Sequence, residues 1–279
     1  HYFSLSLPSQ ARVTRRKTAG ERTRTTNQTK HAKMKPRPIF CTLTALFFSI
    51  LTLNASTTTM ETDTFTTATG KHVAITFIKH GTLMIDADGY VFHIDPVTMF
   101  GTDYSRLPKA DCVLVTHEHG DHYDAKAIDI VTKEDTRFLS NGRVAELSQR
   151  SEAMKPGDTL ALADGKITLT ATAAYNTTPG HEQFHPKGRD VGFLIDFDGL
   201  RIYVAGDTED IPELASLKDV DIAFLPVNQP YTMTPAQCIN AAAMFRPKVF
   251  YPYHYGDTDL STIAPALSGA TEVRIRQLQ

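Results

Sequence analysis

The stretch Asp111-Cys-Val-Leu-Val-Thr-His117-Glu-His119-Gly-Asp121-His122 decides both the fold and the chemistry that this sequence can support. Its first part predicts a buried strand, and its second part places four potential metal ligands within six residues. In an extended segment the side chains at i and i+2 point the same way, so His117 and His119 can bind one ion. Gly120 permits a sharp turn, after which Asp121 and His122 can bind a second ion. The run therefore indicates a metal site rather than a polar loop with incidental histidines.

The ligand types restrict the metal. Imidazole and carboxylate groups suit zinc, iron or manganese. Two such ions roughly 3.5–4 Å apart would hold a bridging water and lower its pKa from about 15.7 towards ~7. The sequence thus predicts two divalent cations as cofactors, with Zn²⁺ preferred and Mn²⁺ or Fe²⁺ as alternatives.

The rest of the body reads as β-hairpins interleaved with a few helices. Asp88-Gly89, Asp164-Gly165 and Asp198-Gly199 each lie between apolar runs, which is a strong hairpin signal. Thr234 followed by Pro235 is typical of a helix start and predicts a helix over 235–245. Further strands are predicted at 73–78, 112–115, 222–225 and 248–251, and further helices at 125–131, 143–150 and 261–267. The pattern predicts an α+β fold of packed sheets with helices outside, not a regular βαβ winding.

The N-terminal 55 residues differ from the body in charge. They contain ten of the 29 Lys and Arg but only one acidic residue, Glu21, so residues 56–279 carry a net charge of −11. Met34 opens a basic stretch that is followed by the apolar run 39–53 and by Asn54-Ala55. This order predicts a signal peptide over 34–55, cleavage near Ala55 and an exported protein, periplasmic or secreted.

The remaining boundaries follow from composition. We interpret residues 1–33 as sequence upstream of the native start, with an organelle transit segment as the alternative. Residues 56–70 contain eight threonines and are predicted to be a flexible lead-in. The folded domain is then expected to comprise residues 71–279.

Composition excludes several classes of protein. Hydrophobic residues make up 41% and charged residues 22%, as in ordinary globular proteins. No apolar run reaches the roughly 20 residues of a bilayer span, so no stable membrane span is expected after signal cleavage. The acidic body argues against a nucleic-acid partner and suits a small-molecule substrate. The sequence leaves open the oligomeric state and the pairing of Cys112 with Cys238.

The His-x-His-x-Asp-His run resembles the signature of the metallo-β-lactamase superfamily, and further segments match that family in order over about residues 72–256. They are His80-Gly-Thr-Leu, Ile94-Asp95-Pro96, Ala205-Gly-Asp207-Thr and Tyr251-Pro-Tyr-His254. The resemblance implies a four-layer αβ/βα sandwich of two mixed β-sheets flanked by helices. Within the superfamily the chain is most similar to the ascorbate-6-phosphate-lactonase-like branch of metal-dependent hydrolases, through the segments 174–176, 184–188 and 231–233.

The resemblance also implies roles for individual residues. His117 and His119 would bind the first metal with a third histidine, for which His185 is favoured over His181. The second metal would be bound by Asp121, His122 and His254, and Asp207 would bridge both metals.

Three further residues have two interpretations each. Asp95 either accepts a hydrogen bond from a ligand histidine or forms a plain Asp-Pro turn. The resemblance places His80 near the site, but a core histidine is an equal interpretation. Tyr231 either contacts substrate or belongs to a loop without such a role.

These inferences lead to one functional expectation and two rivals. The expectation is a dinuclear metal-dependent hydrolase in which a metal-bridging hydroxide, oriented by Asp121, attacks a small ester, lactone or phosphoester. The first rival is a phosphodiesterase or phospholipase-D-like hydrolase. The second is a non-catalytic periplasmic metal-binding protein on the same scaffold.

Overall fold

The computed structural model describes residues 60–278. The predicted upstream segment, 1–33, and the predicted signal peptide, 34–55, lie outside these residues. Among the described residues no helix has both the length and the apolar character that a membrane crossing requires.

Two seven-stranded mixed sheets dominate the described part of the chain. The first sheet contains, in spatial and chain order, β1 Thr62–Thr66, β2 His72–Lys79, β3 Thr82–Ala87, β4 Tyr90–Ile94, β5 Cys112–Val115, β6 Arg137–Ser140 and β7 Glu152–Ala153. The second contains β8 Thr159–Leu162, β9 Ile167–Ala174, β10 Asp190–Phe197, β11 Leu200–Val204, β12 Ile222–Pro226, β13 Val249–Tyr253 and β14 Glu272–Val273. In each sheet the first four strands pair antiparallel and the remaining three continue in parallel.

The α-helices are few and short. They are α1 Ala125–Val131, α2 Gly142–Ser148, α3 Pro235–Phe245 and α4 Ile263–Leu267. The Asp124 carboxylate accepts from the N–H of Lys126 at the start of α1, and Thr234 with Gln237 forms a capping box at α3. The starts of these two helices therefore lie where the sequence predicts them.

The strand alternation divides the core into two layers. In β5, Cys112 and Leu114 belong to the large inner cluster, while Val113 and Val115 pack with residues of α1. The inner cluster combines both sheets: the ring of Phe77 in β2 lies 4.9 Å, centroid to centroid, from that of Tyr251 in β13. The predicted sandwich of two mixed sheets with flanking helices is confirmed.

One predicted boundary is wrong. Thr62–Thr66 is not part of a flexible lead-in but forms β1, which pairs antiparallel with β2. The physical reason lies at Asp63, whose carboxylate accepts hydrogen bonds from Tyr251 and Arg276 at the far end of the chain. Threonine alternates with other residues over Thr62–Thr66, which is the two-residue period of a strand. Because this edge strand contains no aliphatic cluster, the sequence analysis did not predict it.

The loops that carry the predicted site meet at one edge of the two sheets. Parallel strands end at the same edge, which is where ligands bind in open α/β sheets. Asp95 follows β4 and the His117–His122 run follows β5. In the second sheet His185 lies between β9 and β10, Asp207 follows β11 and His254 follows β13.

Candidate metal centre

Three groups of His and Asp side chains lie close enough together to hold metal ions. Within each group, one ligand atom per residue lies within 4.8 Å of the others. The groups are His117, His119 and His185; His80, Asp121 and His254; and His117, His122 and Asp207. All seven ligands predicted from the sequence are therefore brought together, and His80 joins them.

The Asp207 carboxylate lies at the middle of this cluster. Its Oδ2 is 3.4 Å from Nε2 of His185 and 3.4 Å from Nε2 of His254. Its Oδ1 is 3.4 Å from Nε2 of His122. Asp207 thus faces histidines of both predicted metal sites, as a bridging ligand must.

His185, and not His181, lies with His117 and His119. The backbone N–H of Asn176, just after β9, donates to the carbonyl of His185. This bond holds the loop segment at His185 beside the end of β9, at the edge of the sheet. His181 lies outside the three groups, with Nδ1 3.6 Å from Oε1 of Glu209. The geometry therefore agrees with the preferred third histidine.

The outward nitrogens of the buried histidines are held by neighbours. His122 Nδ1 donates to Asp95 Oδ2 at 2.8 Å, and His185 Nδ1 donates to the carbonyl of Tyr231 at 3.0 Å. Such bonds fix the tautomer and direct Nε2 inward. Of the two interpretations of Asp95, hydrogen bonding to a site histidine is the one seen.

His80 lies in the cluster and not in the core. Its Nε2 is 3.2 Å from Oδ2 of Asp121, and its ring centroid is 3.8 Å from that of His254. His80, Asp95 and His254 all have left-handed backbone, with φ of 54°, 46° and 51°. Non-glycine residues are strained in this region, so the surrounding packing must hold these three residues of the site in place.

Gly81 gives the rings room to approach. A Cβ at this position would lie 3.0 Å from Cε1 of His122 and 3.7 Å from Cδ2 of His254. An alanine at this position would therefore require the ring of His122 to shift by a few tenths of an ångström, whereas its contact with His254 would be an ordinary one.

The charge states suit metal ligation. Burial holds the pKa of His117 well below its usual value and lowers that of His185 to about 4, so both rings are neutral at pH 7. Burial alone would raise the pKa values of Asp121 and Asp207, but the surrounding histidines outweigh it and lower both. His122 differs: burial would lower its pKa, but Asp207 and Asp95 raise it to about 10. A cation bound at His122 Nε2 would take the place of that proton.

The unpaired atoms provide a test of whether these residues fit a metal. Nε2 of His122, Nε2 of His185 and Oδ1 of Asp207 are buried and have no hydrogen-bond partner. Buried polar atoms are rarely left without a partner unless an ion or water binds them. All three point into the cluster, so the residues fit divalent cations.

A cavity of about 240 Å³ opens over the cluster. Six residues of the three groups line it, together with Phe184, Asn228 and Tyr231. The Phe184 and Tyr231 rings meet edge to face at 5.1 Å, and Tyr231 is 47% exposed. Tyr231 therefore contributes its carbonyl to His185 and its ring to the cavity.

Sequence reasoning missed Glu209, which anchors the loop that bears His185. Its fully buried carboxylate accepts from the N–H and hydroxyl of Thr177 and from the N–H of Thr178. The only signal was an acidic residue two positions after Asp207, which is not enough to predict contacts with a loop some thirty residues away in the chain. Cys112 and Cys238 are both buried and free.

Comparison with known proteins agrees with this geometry. The Beta-lactamase superfamily domain matches residues 74–254. The chain therefore belongs to the metallo-β-lactamase superfamily. Within it, the chain is a metal-dependent hydrolase similar to the UPF0173 proteins. The UPF0173 metal-dependent hydrolase of Pelotomaculum thermopropionicum is 30% identical over 223 residues, which are 73% of this chain and 96% of that protein.

Two solved structures are also similar. A protein from Parabacteroides distasonis, whose crystal structure bears the name of a metal-dependent hydrolase, is 51% identical, with a TM-score of 0.77 over 79% of this chain and all of that one. Igni18, a metallo hydrolase from the archaeon Ignicoccus hospitalis, is 26% identical, with a TM-score of 0.63 over 74% and 95% of the two chains.

Proposed function

We propose that the site binds two divalent cations, with zinc preferred, and hydrolyses a small ester, lactone or phosphoester. The observation that carries this proposal is the Asp207 carboxylate, which faces the histidines of both predicted sites. His117, His119 and His185 would hold the first cation. Asp121, His122 and His254 would hold the second, with Asp207 shared.

Bound cations would supply an activated water as nucleophile and would polarise the electrophile. The protein's own part is to place a substrate against them. Asp121 lines the cavity with its side chain 31% exposed, and His80 and His254 hold one of its oxygens at 3.2 and 3.3 Å. The pKa of Asp121 is well below neutral, which suits a carboxylate that orients the nucleophile better than one that keeps its proton.

The first test is the metal content of the chain, purified without chelator and measured by mass spectrometry. Two equivalents are expected, falling in His119→Ala and Asp207→Ala. His72→Ala, which removes an exposed histidine outside the groups, is the matched control and should keep both equivalents. One equivalent would contradict the dinuclear site, and none after incubation with Zn²⁺, Mn²⁺ and Fe²⁺ would reject the proposal.

Turnover separates the rival functions. p-Nitrophenyl esters, simple lactones and bis(p-nitrophenyl) phosphate, tested with Zn²⁺ or Mn²⁺, distinguish ester or lactone hydrolysis from a phosphodiesterase or phospholipase-D-like activity. Metal binding without turnover of any of them would favour the non-catalytic metal-binding protein. We also propose that the chain belongs to the ascorbate-6-phosphate-lactonase-like branch and that the protein is exported. Export is tested by locating the protein in fractionated cells.

A further inference from the structure

The cavity over the metal centre has two chemically different parts. The inner part is formed by the His and Asp cluster. The other three lining residues are Phe184, Asn228 and Tyr231, and we call the part of the cavity that they line the outer part, because Tyr231 is 47% exposed. None of the residues that line this cavity is Lys or Arg. A substrate group that extends outward from the reacting centre therefore meets two aromatic rings and an amide.

The cations of the neighbouring loop are already engaged. Arg189 pairs with Asp190 at 2.7 Å and with Glu118 at 3.1 Å, and it also donates to the carbonyl of Phe184. The ammonium group of Lys187 lies 3.2 Å from Glu213. Neither side chain lines the cavity, so neither is placed to pair with an anionic group of the substrate.

Size restricts the substrate as well. The volume of about 240 Å³ is smaller than the roughly 300–1,000 Å³ of sites that enclose drug-sized ligands. A carboxylate or phosphate moved from water to this part of the cavity would meet only the neutral donors of Asn228 and Tyr231 and no cation, so its lost hydration would be only partly replaced. An uncharged planar or apolar group would pack on the same rings favourably.

Resting on the hydrolase function proposed above, we infer that the substrate is a small molecule whose scissile group is flanked by an uncharged, apolar or aromatic group. That group packs against Tyr231 and Phe184. Substrates with a second anionic group, such as a phosphate on the part away from the reacting bond, are disfavoured. The preference is a property of the outer cavity and is separate from the metal ligands.

Two esters that differ only at the end of the acyl chain, where one has a methyl group and the other a carboxylate, test the inference. The probes are p-nitrophenyl butyrate and mono-p-nitrophenyl succinate, which share a leaving group and a four-carbon acyl chain, assayed on the Zn²⁺-loaded full chain. After correction for spontaneous hydrolysis, kcat/KM should be higher for the butyrate by roughly tenfold. Equal values, or faster cleavage of the succinate, would overturn the inference and leave the hydrolase function intact. If two metals are bound but these esters, simple lactones and bis(p-nitrophenyl) phosphate all remain uncleaved, the hydrolase function itself fails, and the inference fails with it.

Substitution of Tyr231 locates the preference. Tyr231→Ala removes the ring but keeps the carbonyl that His185 uses, so KM for the butyrate should rise roughly tenfold with little change in kcat. Tyr231→Phe should restore the low KM, and Tyr231→Lys should shift the preference towards the succinate. Leu147→Ala is the matched control, because Leu147 is 49% exposed but does not line the cavity. An unchanged KM in Tyr231→Ala would contradict the assigned contact.

Discussion

At Asp95, one buried carboxylate accepts three hydrogen bonds. Two come from the N–H and hydroxyl of Thr116, and the third comes from Nδ1 of His122. The carboxylate therefore connects the end of β5 to a proposed ligand of the second metal. Asp95 acts through His122 and does not face the cavity.

Asp95→Asn should weaken the second metal site. Asparagine keeps one acceptor oxygen, but its amide nitrogen cannot accept, so the three bonds from Thr116 and His122 cannot all be kept and the ring of His122 is held less firmly. Affinity for the second metal should fall by about 10–100-fold, measured by competition with a chelator. Asp88→Asn, in an exposed turn, is the control and should bind normally. Unchanged affinity in Asp95→Asn would show that the bond does not tune the site.

His93 makes stability depend on pH. It is fully buried in β4, its Nε2 donates to the carbonyl of Pro108 at 2.9 Å, and burial lowers its pKa from 6.5 to about 4. The unfolded chain therefore binds the proton more readily, and stability is lost as pH falls from 6.5 towards 4. The loss attributable to His93 should approach about 3 kcal/mol, since each pKa unit corresponds to about 1.4 kcal/mol.

The free energy of unfolding is measured in urea at pH 7.5 and 4.5. Chelator is present throughout, so that the histidines of the metal site contribute the same pH dependence to the wild type and to the variant. His93→Gln retains a donor for Pro108 but does not titrate, so its stability should fall less than that of the wild type. Equal falls would mean that His93 is not the titrating group.

At the residue scale, the sequence indicates proximity best where the pattern is local. His117 to His122 form one continuous run, and the i, i+2 spacing after a strand is enough to indicate shared ligation. The relation between His80 and Asp121 spans 41 positions, and that between Glu209 and Thr177 spans 32. Such contacts are set by which strand ends share an edge, and the sequence does not specify this directly.

Among the elements, the end of β11 depends on one glycine. Gly206 has a φ of +66°, and a Cβ there would lie 2.9 Å from the carbonyl oxygen of Val191 and 3.0 Å from Cβ of Thr116. The position therefore requires both a left-handed backbone and the absence of a side chain. Asp207 follows directly, so the glycine also positions the proposed bridging ligand.

Gly206→Ala should destabilise the fold by about 3 kcal/mol, from backbone strain and steric overlap together. Gly199→Ala is the matched control: its φ is +79°, but no heavy atom lies within 4 Å of its added Cβ, so it should cost only about 1 kcal/mol. The comparison is made by urea unfolding and by metal content, which should fall in Gly206→Ala alone. Equal losses of unfolding free energy in the two variants would show that small shifts of the neighbouring atoms remove the steric overlap at Gly206.

Elements with strong local signals were predicted well. The cap, the proline at the first position and the length of α3 can all be read from the sequence. The three Asp-Gly pairs likewise lie at the turns of three hairpins. Besides β1, the strands β6, β7 and β14 were not predicted. β7 and β14 have two residues each and β6 has four, so pairing with a neighbour, and not a periodic pattern, determines them.

At the scale of the whole molecule, Asp63 connects the two ends of the described chain. Its carboxylate accepts from Arg276 at 2.7 Å and from the hydroxyl of Tyr251, so β1 of the first sheet is held to β13 of the second. Asp63→Ala should lower the free energy of unfolding by about 1–3 kcal/mol, because it removes the carboxylate that accepts from Tyr251, Arg274 and Arg276. Glu134→Ala, at an exposed turn, should have little effect. A loss below about 0.5 kcal/mol in Asp63→Ala would show that the connection adds little to stability.

The order of the strands has a consequence for how the enzyme matures. Residues before the β7–β8 connection build one sheet and supply His117, His119, Asp121 and His122, while residues after it build the other and supply the remaining ligands. Neither half can assemble a complete ligand set by itself. We therefore expect tight metal binding only after both halves have packed together. A chain nicked between Ala153 and Thr159 is expected to bind the proposed metals only through fragment complementation.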